Sequence, residues 1–407
     1  MAEFLSRITE QDYQSGVFPR FGRPWWQTLP EDFYRYPDHF LLPERMRRMV
    51  NATVAIDQVA RTGLAAMVTL ASAPSMVLGR QLEEDIARRE FYQRFVDAGE
   101  PQAFFREPAP VRAFRETPVS RYHYRPPDGD NVTVSFASAF EPVHPDMRAR
   151  YLSARRNRVA WAQHWRHGDR PRPTLVVIHG FVADPYWLNS RFLALPWFFR
   201  QGYDILLYTM PFHGRRRSPM APFSGAEFFA GGVSHVNEAF AHTIHDLRVF
   251  LRYLRERGVQ QIGATGISLG GYTTALLAAL EKQLAFAIPN VPVVSPFDLV
   301  MDWFPLNMPM RAMMARTGTS LTDLRYASAV HAPLTWPCKL PREKRMIIGG
   351  VGDRFAPPKQ AWLLWRHWDE CPIHWFPGNH LLHLDQGRYL REMKAFIQRS
   401  EFSVVSR

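Results

Sequence analysis

Cysteine is almost absent: Cys338 and Cys371 are the only two in 407 residues. Two thiols cannot make a disulfide framework, so the fold must rest on a core, and the pair suits a reducing compartment. Lysine is nearly as scarce, at Lys282, Lys339, Lys344, Lys359 and Lys394, so the positive charge is mostly arginine. A net charge of +12 would suit a polyanion. No zinc-knuckle, RNP-type or helix-turn-helix pattern accompanies it, so nucleic acid is not expected as a partner. The first residues, "MAEFLSRITEQDYQ", lack a basic segment followed by an apolar one. The expectation is therefore a cytoplasmic protein, with peripheral membrane contact as the second possibility. Thr62–Gly79 carries no charge over 18 residues, just long enough to raise a membrane span. Gly63, Pro74 and several Ser, Thr and Ala make it only mildly apolar, which favours a buried or interfacial helix. Internal repeats and low-complexity blocks are missing too, which excludes a solenoid.

What is present is apolar bulk. With 46% hydrophobic residues, including 29 Phe and 12 Trp, the chain can bury a sizeable core. Residues 1–115 read as an accessory region, with an aromatic, proline-rich start and helical patterns from about Pro43 to Ala98. Glu100–Pro127 is dotted with proline and reads as loop and linker. "NVTVSFASAF" (131–140) alternates as a strand does.

From Pro173 the texture changes. Apolar runs at 174–179, 203–210, 262–266, 286–294 and 345–350 read as buried strands. Helical spacing separates them at 235–257 and 272–284. Strands alternating with helices imply an α/β fold, a mostly parallel sheet covered on both faces, spanning residues 116–407. Ligands of such sheets collect at the carboxyl ends of the strands. An insert rich in Met, Phe and Trp, about 295–341, is either a cap over an apolar pocket or an ordinary helix packed on the core.

"ATGISLGGY" (264–272) places Ser268 in a Gly-x-Ser-x-Gly turn between a strand and a helix. Such a turn lifts a serine hydroxyl above the sheet at a helix N-terminus. A hydroxyl is a weak nucleophile, so a base and an orienting acid should follow at later strand ends. Asp353 lies in a Gly-Asp turn after the run at 345–350, and His380 in a Pro-Gly-Asn-His loop near the end. Asp298 and Asp302 are the rival acids, and His383, read on a following helix, is the rival base. Backbone amides of Phe181 and Leu269 suit an oxyanion hole. His179 supports that loop; it is also a candidate substrate contact, with Arg215, Arg216 and Tyr272. His242 and His245 share a helix face but have no further ligand converging on them, so no metal is expected.

"HGF", "GISLGG", "GVGDRFAPP" and "PGNH", in that order, resemble the oxyanion, nucleophile, acid and histidine loops of the α/β-hydrolase superfamily. The resemblance covers roughly residues 130–400. The tract at 203–218 is similar to the carboxylesterase and dienelactone-hydrolase branches. The superfamily implies a sheet of about eight strands, a Ser-His-Asp triad, no cofactor and hydrolysis through an acyl-enzyme. A serine hydrolase of carboxylic esters with apolar or lipid-like acyl groups is the expected function. Acyl transfer, or amide or thioester cleavage, is the alternative on the same fold. A non-catalytic membrane-surface protein is the alternative of another class. The accessory region matches no part of the superfamily core.

Overall fold

The computed structural model describes residues 13–14, 24–40, 44–77, 80–120, 122–126, 128–168, 170–182, 186–400 and 402. Nine strands make one sheet: β1 (Arg115–Pro118), β2 (Gly129–Ala137), β3 (Val159–His167), β4 (Thr174–Ile178), β5 (Asp204–Thr209), β6 (Ile262–Ile267), β7 (Ala287–Asn290), β8 (Ile347–Gly350) and β9 (Ile373–Phe376). Their order is β9-β8-β7-β6-β4-β5-β3-β2-β1. The six strands from β9 to β5 run parallel, and β3, β2 and β1 form an antiparallel edge.

β4, β5 and β6 are buried at every residue, as strands covered on both faces must be. Alternation divides their side chains: Leu175 and Val177 pack into one core, Val176 and Ile178 into the other.

Two strands depart from the sequence reading. β1 falls where a linker was expected; its ends are exposed and it finishes at Pro118, so it has no buried period to detect. Proline is tolerated there because β1 lies at the sheet edge. β3 is the antiparallel strand between β2 and β5, where no element was expected. Its tryptophans, histidines and arginine ("VAWAQHWRH") hide a strand in which Ala162–Trp165 are buried in succession, so neither an apolar run nor an alternation marks it.

The helices that matter here are α1 (Glu44–Val77), α2 (Arg80–Ala87), α3 (Arg89–Asp97), α4 (Val233–Glu256), α5 (Leu269–Leu280), α6 (Pro296–Asp302), α7 (Asn307–Thr317), α8 (Leu321–Ala327), α9 (Pro358–His367) and α10 (Gln386–Arg399). α4 and α5 cover one face of the sheet, and α10 packs on the other.

The accessory region is stitched onto the first of these faces. Trp25, Phe33, Tyr92 and Phe104 enter the same core as α4 and α5. The Asp85 carboxylate accepts the Val233 and Ser234 amides at 3.0 and 2.8 Å, capping the start of α4. Tyr92 donates to Glu238 at 2.8 Å.

α1 contains most of the uncharged stretch. Val50–Ala71 is apolar and long enough to cross a membrane by length and composition. Here one side is buried, through Asp57, Arg61, Ala65 and Val68, and Ile56, Val59, Met67 and Leu70 face outward. Leu78 and Gly79 lie outside the described residues.

Candidate active site

Ser268 sits between β6 and α5 with φ 57° and ψ −114°. A residue with a side chain rarely adopts positive φ, so the turn stores strain that its surroundings must hold. The surroundings do so by close contact. A Cβ on Gly266 would come within 2.4 Å of the Gly270 carbonyl, and one on Gly270 within 2.1 Å of the Ile178 carbonyl. Only glycine lets strand, turn and helix approach this closely. The Ser268 amide donates to the Asn290 carbonyl at 2.9 Å, tying the turn to β7.

Asp353 follows β8, and His380 lies in the loop between β9 and α10. Asp353 Oδ1 accepts the Ala356 amide at 2.7 Å, and Oδ2 bonds His380 Nδ1 at 2.7 Å. That bond places the proton on Nδ1 and leaves Nε2 as the basic nitrogen. Burial works against a charged imidazole, but the Asp353 carboxylate, its hydrogen bond and the nearby Asp57 charge outweigh it. The His380 pKa is therefore raised above its ordinary value. The Phe355 ring stacks on the imidazole at 5.1 Å.

Ser268, Leu269, Phe181 and His380 all line one cavity of about 630 Å³. Most of its wall is apolar. The 295–341 insert contributes Phe297, Leu299, Trp303 and Met310 among others to its wall. The accessory region contributes Ala60, Leu64 and Val68 of α1, with Leu82, Asp85 and Arg89. Tyr272 also lines it, with its hydroxyl bonded to His331 Nδ1 at 2.5 Å.

The other sequence candidates take different places. His179 is buried; its Nδ1 donates to the Gly180 carbonyl at 2.8 Å and its Nε2 accepts the Met210 amide at 3.1 Å. Burial pushes its pKa down to about 4, so the ring is a neutral brace beneath the Phe181 loop.

Arg215 and Arg216 are not among the cavity-lining residues. The chain turns Arg216 inward, where its fully buried guanidinium pairs with Asp246 at 2.8 Å and donates to the Asn157 carbonyl at 2.8 Å. Arg215 is exposed and lies over the Trp161 ring. Their position after β5 was legible, but the direction of each side chain was not.

Asp298 is occupied by a fully buried pair with Arg325, and Asp302 by Arg61 at 2.7 Å. His383 precedes α10 in the loop, where its Nδ1 meets the Tyr389 hydroxyl at 3.2 Å. His242 bonds Ser138, Tyr151 and Arg216. Among the described residues no group of three or more His, Cys, Asp or Glu is placed to hold a metal.

One residue at the site went unnoticed in the sequence. Asp57 of α1 is fully buried, and its Oδ2 accepts the backbone amides of Arg354 at 2.9 Å and His380 at 3.0 Å. A signal existed. Between Arg48 and Arg80 the only charged residues are Asp57 and Arg61, four apart and hence on one face of an otherwise uncharged helix.

A family model described as "Alpha/beta hydrolase domain containing 18" matches residues 127–303. An uncharacterized protein of Mycobacterium tuberculosis (strain CDC 1551 / Oshkosh) is 31% identical over 312 residues, covering 75% of this chain and 71% of that protein. One from strain ATCC 25618 / H37Rv matches to the same extent. Acetyl xylan esterase 1 from Thermoanaerobacterium sp. JW/SL YS485 aligns with a TM-score of 0.53 at 12% identity, over 78% of this chain and 94% of its own. The acetyl xylan esterase from Paenibacillus sp. R4 aligns with a TM-score of 0.50 at 15% identity, over 75% and 93%. At these identities the structural likeness speaks for the fold alone.

Proposed function

The chain belongs to the α/β-hydrolase superfamily, and we propose that it is a serine hydrolase cleaving carboxylic esters with apolar acyl groups. The observation that carries this reading is the 2.7 Å Asp353–His380 bond on the same cavity as the strained Ser268 turn.

In the proposed reaction His380 Nε2 takes the Ser268 proton as Oγ attacks the acyl carbonyl carbon. The amides of Phe181 and Leu269 receive the developing oxyanion. The tetrahedral intermediate collapses, and the imidazolium returns the proton to the leaving alkoxide, which departs as the alcohol. Water, deprotonated by the same nitrogen, then attacks the acyl-enzyme and releases the acid with Ser268 restored. Asp353 stays ionised throughout, holding Nδ1–H and stabilising the imidazolium. The wall of Phe, Leu, Trp and Met favours an acyl chain over a sugar or a charged group.

A fluorophosphonate probe tests the nucleophile. Wild-type protein should be labelled and Ser268→Ala should not, with turnover of a p-nitrophenyl ester falling by ~10⁴-fold or more in the variant. An unlabelled wild type would sink the hydrolase reading. Across p-nitrophenyl esters of rising chain length, kcat/KM should climb beyond acetate; a maximum at acetate would remove the apolar acyl assignment.

A further inference from the structure

We propose that Asp57 is a positioning residue for this reaction, contributed by the accessory region and acting on His380 through the backbone of the histidine and acid loops. The inference rests on the hydrolase reading above.

Three contacts make α1 a clamp across both loops. Asp57 Oδ2 holds the amides of His380 and Arg354 at once, so one carboxylate oxygen bridges the base and the residue after the triad acid. Asn379, immediately before His380, donates its side-chain amide to the Thr53 carbonyl one turn earlier on α1. Arg61, one turn later, bonds the Arg354 carbonyl at 3.1 Å and pairs with Asp302. The clamp has a physical purpose. β9 is the last strand of the sheet, so the loop that leaves it has a neighbouring strand on one side only.

A neutral acceptor would satisfy the same two amides, so the charge of Asp57 calls for its own account. Oδ1 is buried with no partner among the described residues. Burial first, then the like charge of Asp353, raises the Asp57 pKa to about 6. The titratable groups that act on it are Asp353 of the acid loop and His380 of the histidine loop; Arg61, one turn on along α1, is engaged by Asp302 and the Arg354 carbonyl. Ionised, Asp57 adds its field to that of Asp353 and favours the imidazolium that forms when His380 accepts the Ser268 proton. Geometry and charge thus act on the same ring.

Two variants separate these contributions. Asp57→Asn keeps an oxygen for both amides and removes the charge. Its kcat/KM profile should shift its acidic limb to lower pH, with kcat at pH 8 reduced by ~3–10-fold. Asp57→Ala removes the acceptor too, and kcat should fall by ~100-fold while KM stays within ~3-fold. Titration of the His380 ring by NMR gives a readout independent of turnover: its pKa should be lower in Asp57→Asn than in the wild type. An unchanged His380 pKa and an unchanged acidic limb would overturn the proposal. So would equal losses in both variants, since those would mean packing alone. Absent labelling of the wild type by fluorophosphonate would instead sink the hydrolase reading, and with it any part for Asp57 in the reaction. The ring titration would still report the Asp57–His380 coupling.

Discussion

The two halves of the site are held in place by opposite means. Ser268 belongs to the middle of the sheet, where β6 lies between β4 and β7, and its turn is gripped from both sides by neighbouring backbone. His380 belongs to the sheet edge beyond β9, and its loop is gripped by a helix more than three hundred residues earlier in the chain. Precision at the centre comes from strands that pack at fixed spacing. Precision at the edge must be supplied by an added element, and α1 supplies it. An accessory region that shares no motif with the hydrolase core is in this way built into the side of the molecule that carries Ser268 and His380. It also walls part of the cavity that the substrate would fill.

Three substitutions bear on this contrast. The largest effect is expected on the histidine side, where Asp353→Asn would turn the acceptor of the Nδ1 proton into a donor or a weaker acceptor. It favours the wrong imidazole tautomer, and kcat should drop by ~10⁴-fold with the fold intact. A loss below tenfold would show that another group orients His380.

At the centre, Gly270→Ala puts a methyl 2.1 Å from the Ile178 carbonyl, a contact that backbone cannot relieve cheaply. Stability should fall by roughly 3–5 kcal/mol in urea unfolding, or soluble protein should be lost. A variant that melts like the wild type would mean that the turn is looser than its geometry implies.

The smallest effect is a gain. The folded pKa of Asp57, about 6, lies above the ordinary carboxylate value of 3.8. The folded state therefore holds a proton that the unfolded chain releases between those two values, and stability falls as pH rises through that window. Asp57→Asn removes this titration. It should melt several degrees above the wild type at pH 8 and at about the same temperature near pH 4, a difference worth about 3 kcal/mol. Greater stability with a slower reaction is the outcome expected of a buried charge kept close to the chemistry. A variant less stable than the wild type at both pH values would assign Asp57 to structure alone.

The parallel strands and most of the helices were legible because each is a local pattern. Buried strands read as unbroken apolar runs, and the helices between them keep a 3.6-residue period. The places of Ser268, Asp353 and His380 were legible for a related reason, since each follows a strand of the parallel sheet. β3 was hidden by its polar and aromatic residues, and β1 by its exposure. Arg216 shows the limit for side chains. The same loop could have pointed it at a ligand, and a buried Asp246 on α4 drew it inward instead.

By itself the sequence determined the parallel core and which chemical groups stand at the carboxyl ends of its strands. Only the tertiary structure decided that α1 reaches the histidine loop, and that the insert and the accessory region both line the cavity on which Ser268 and His380 lie. The reason is distance along the chain. A strand or a nucleophile turn is written in about ten consecutive residues. The bond between Asp57 and the His380 amide joins positions 323 apart, and it exists only after the intervening sheet has folded.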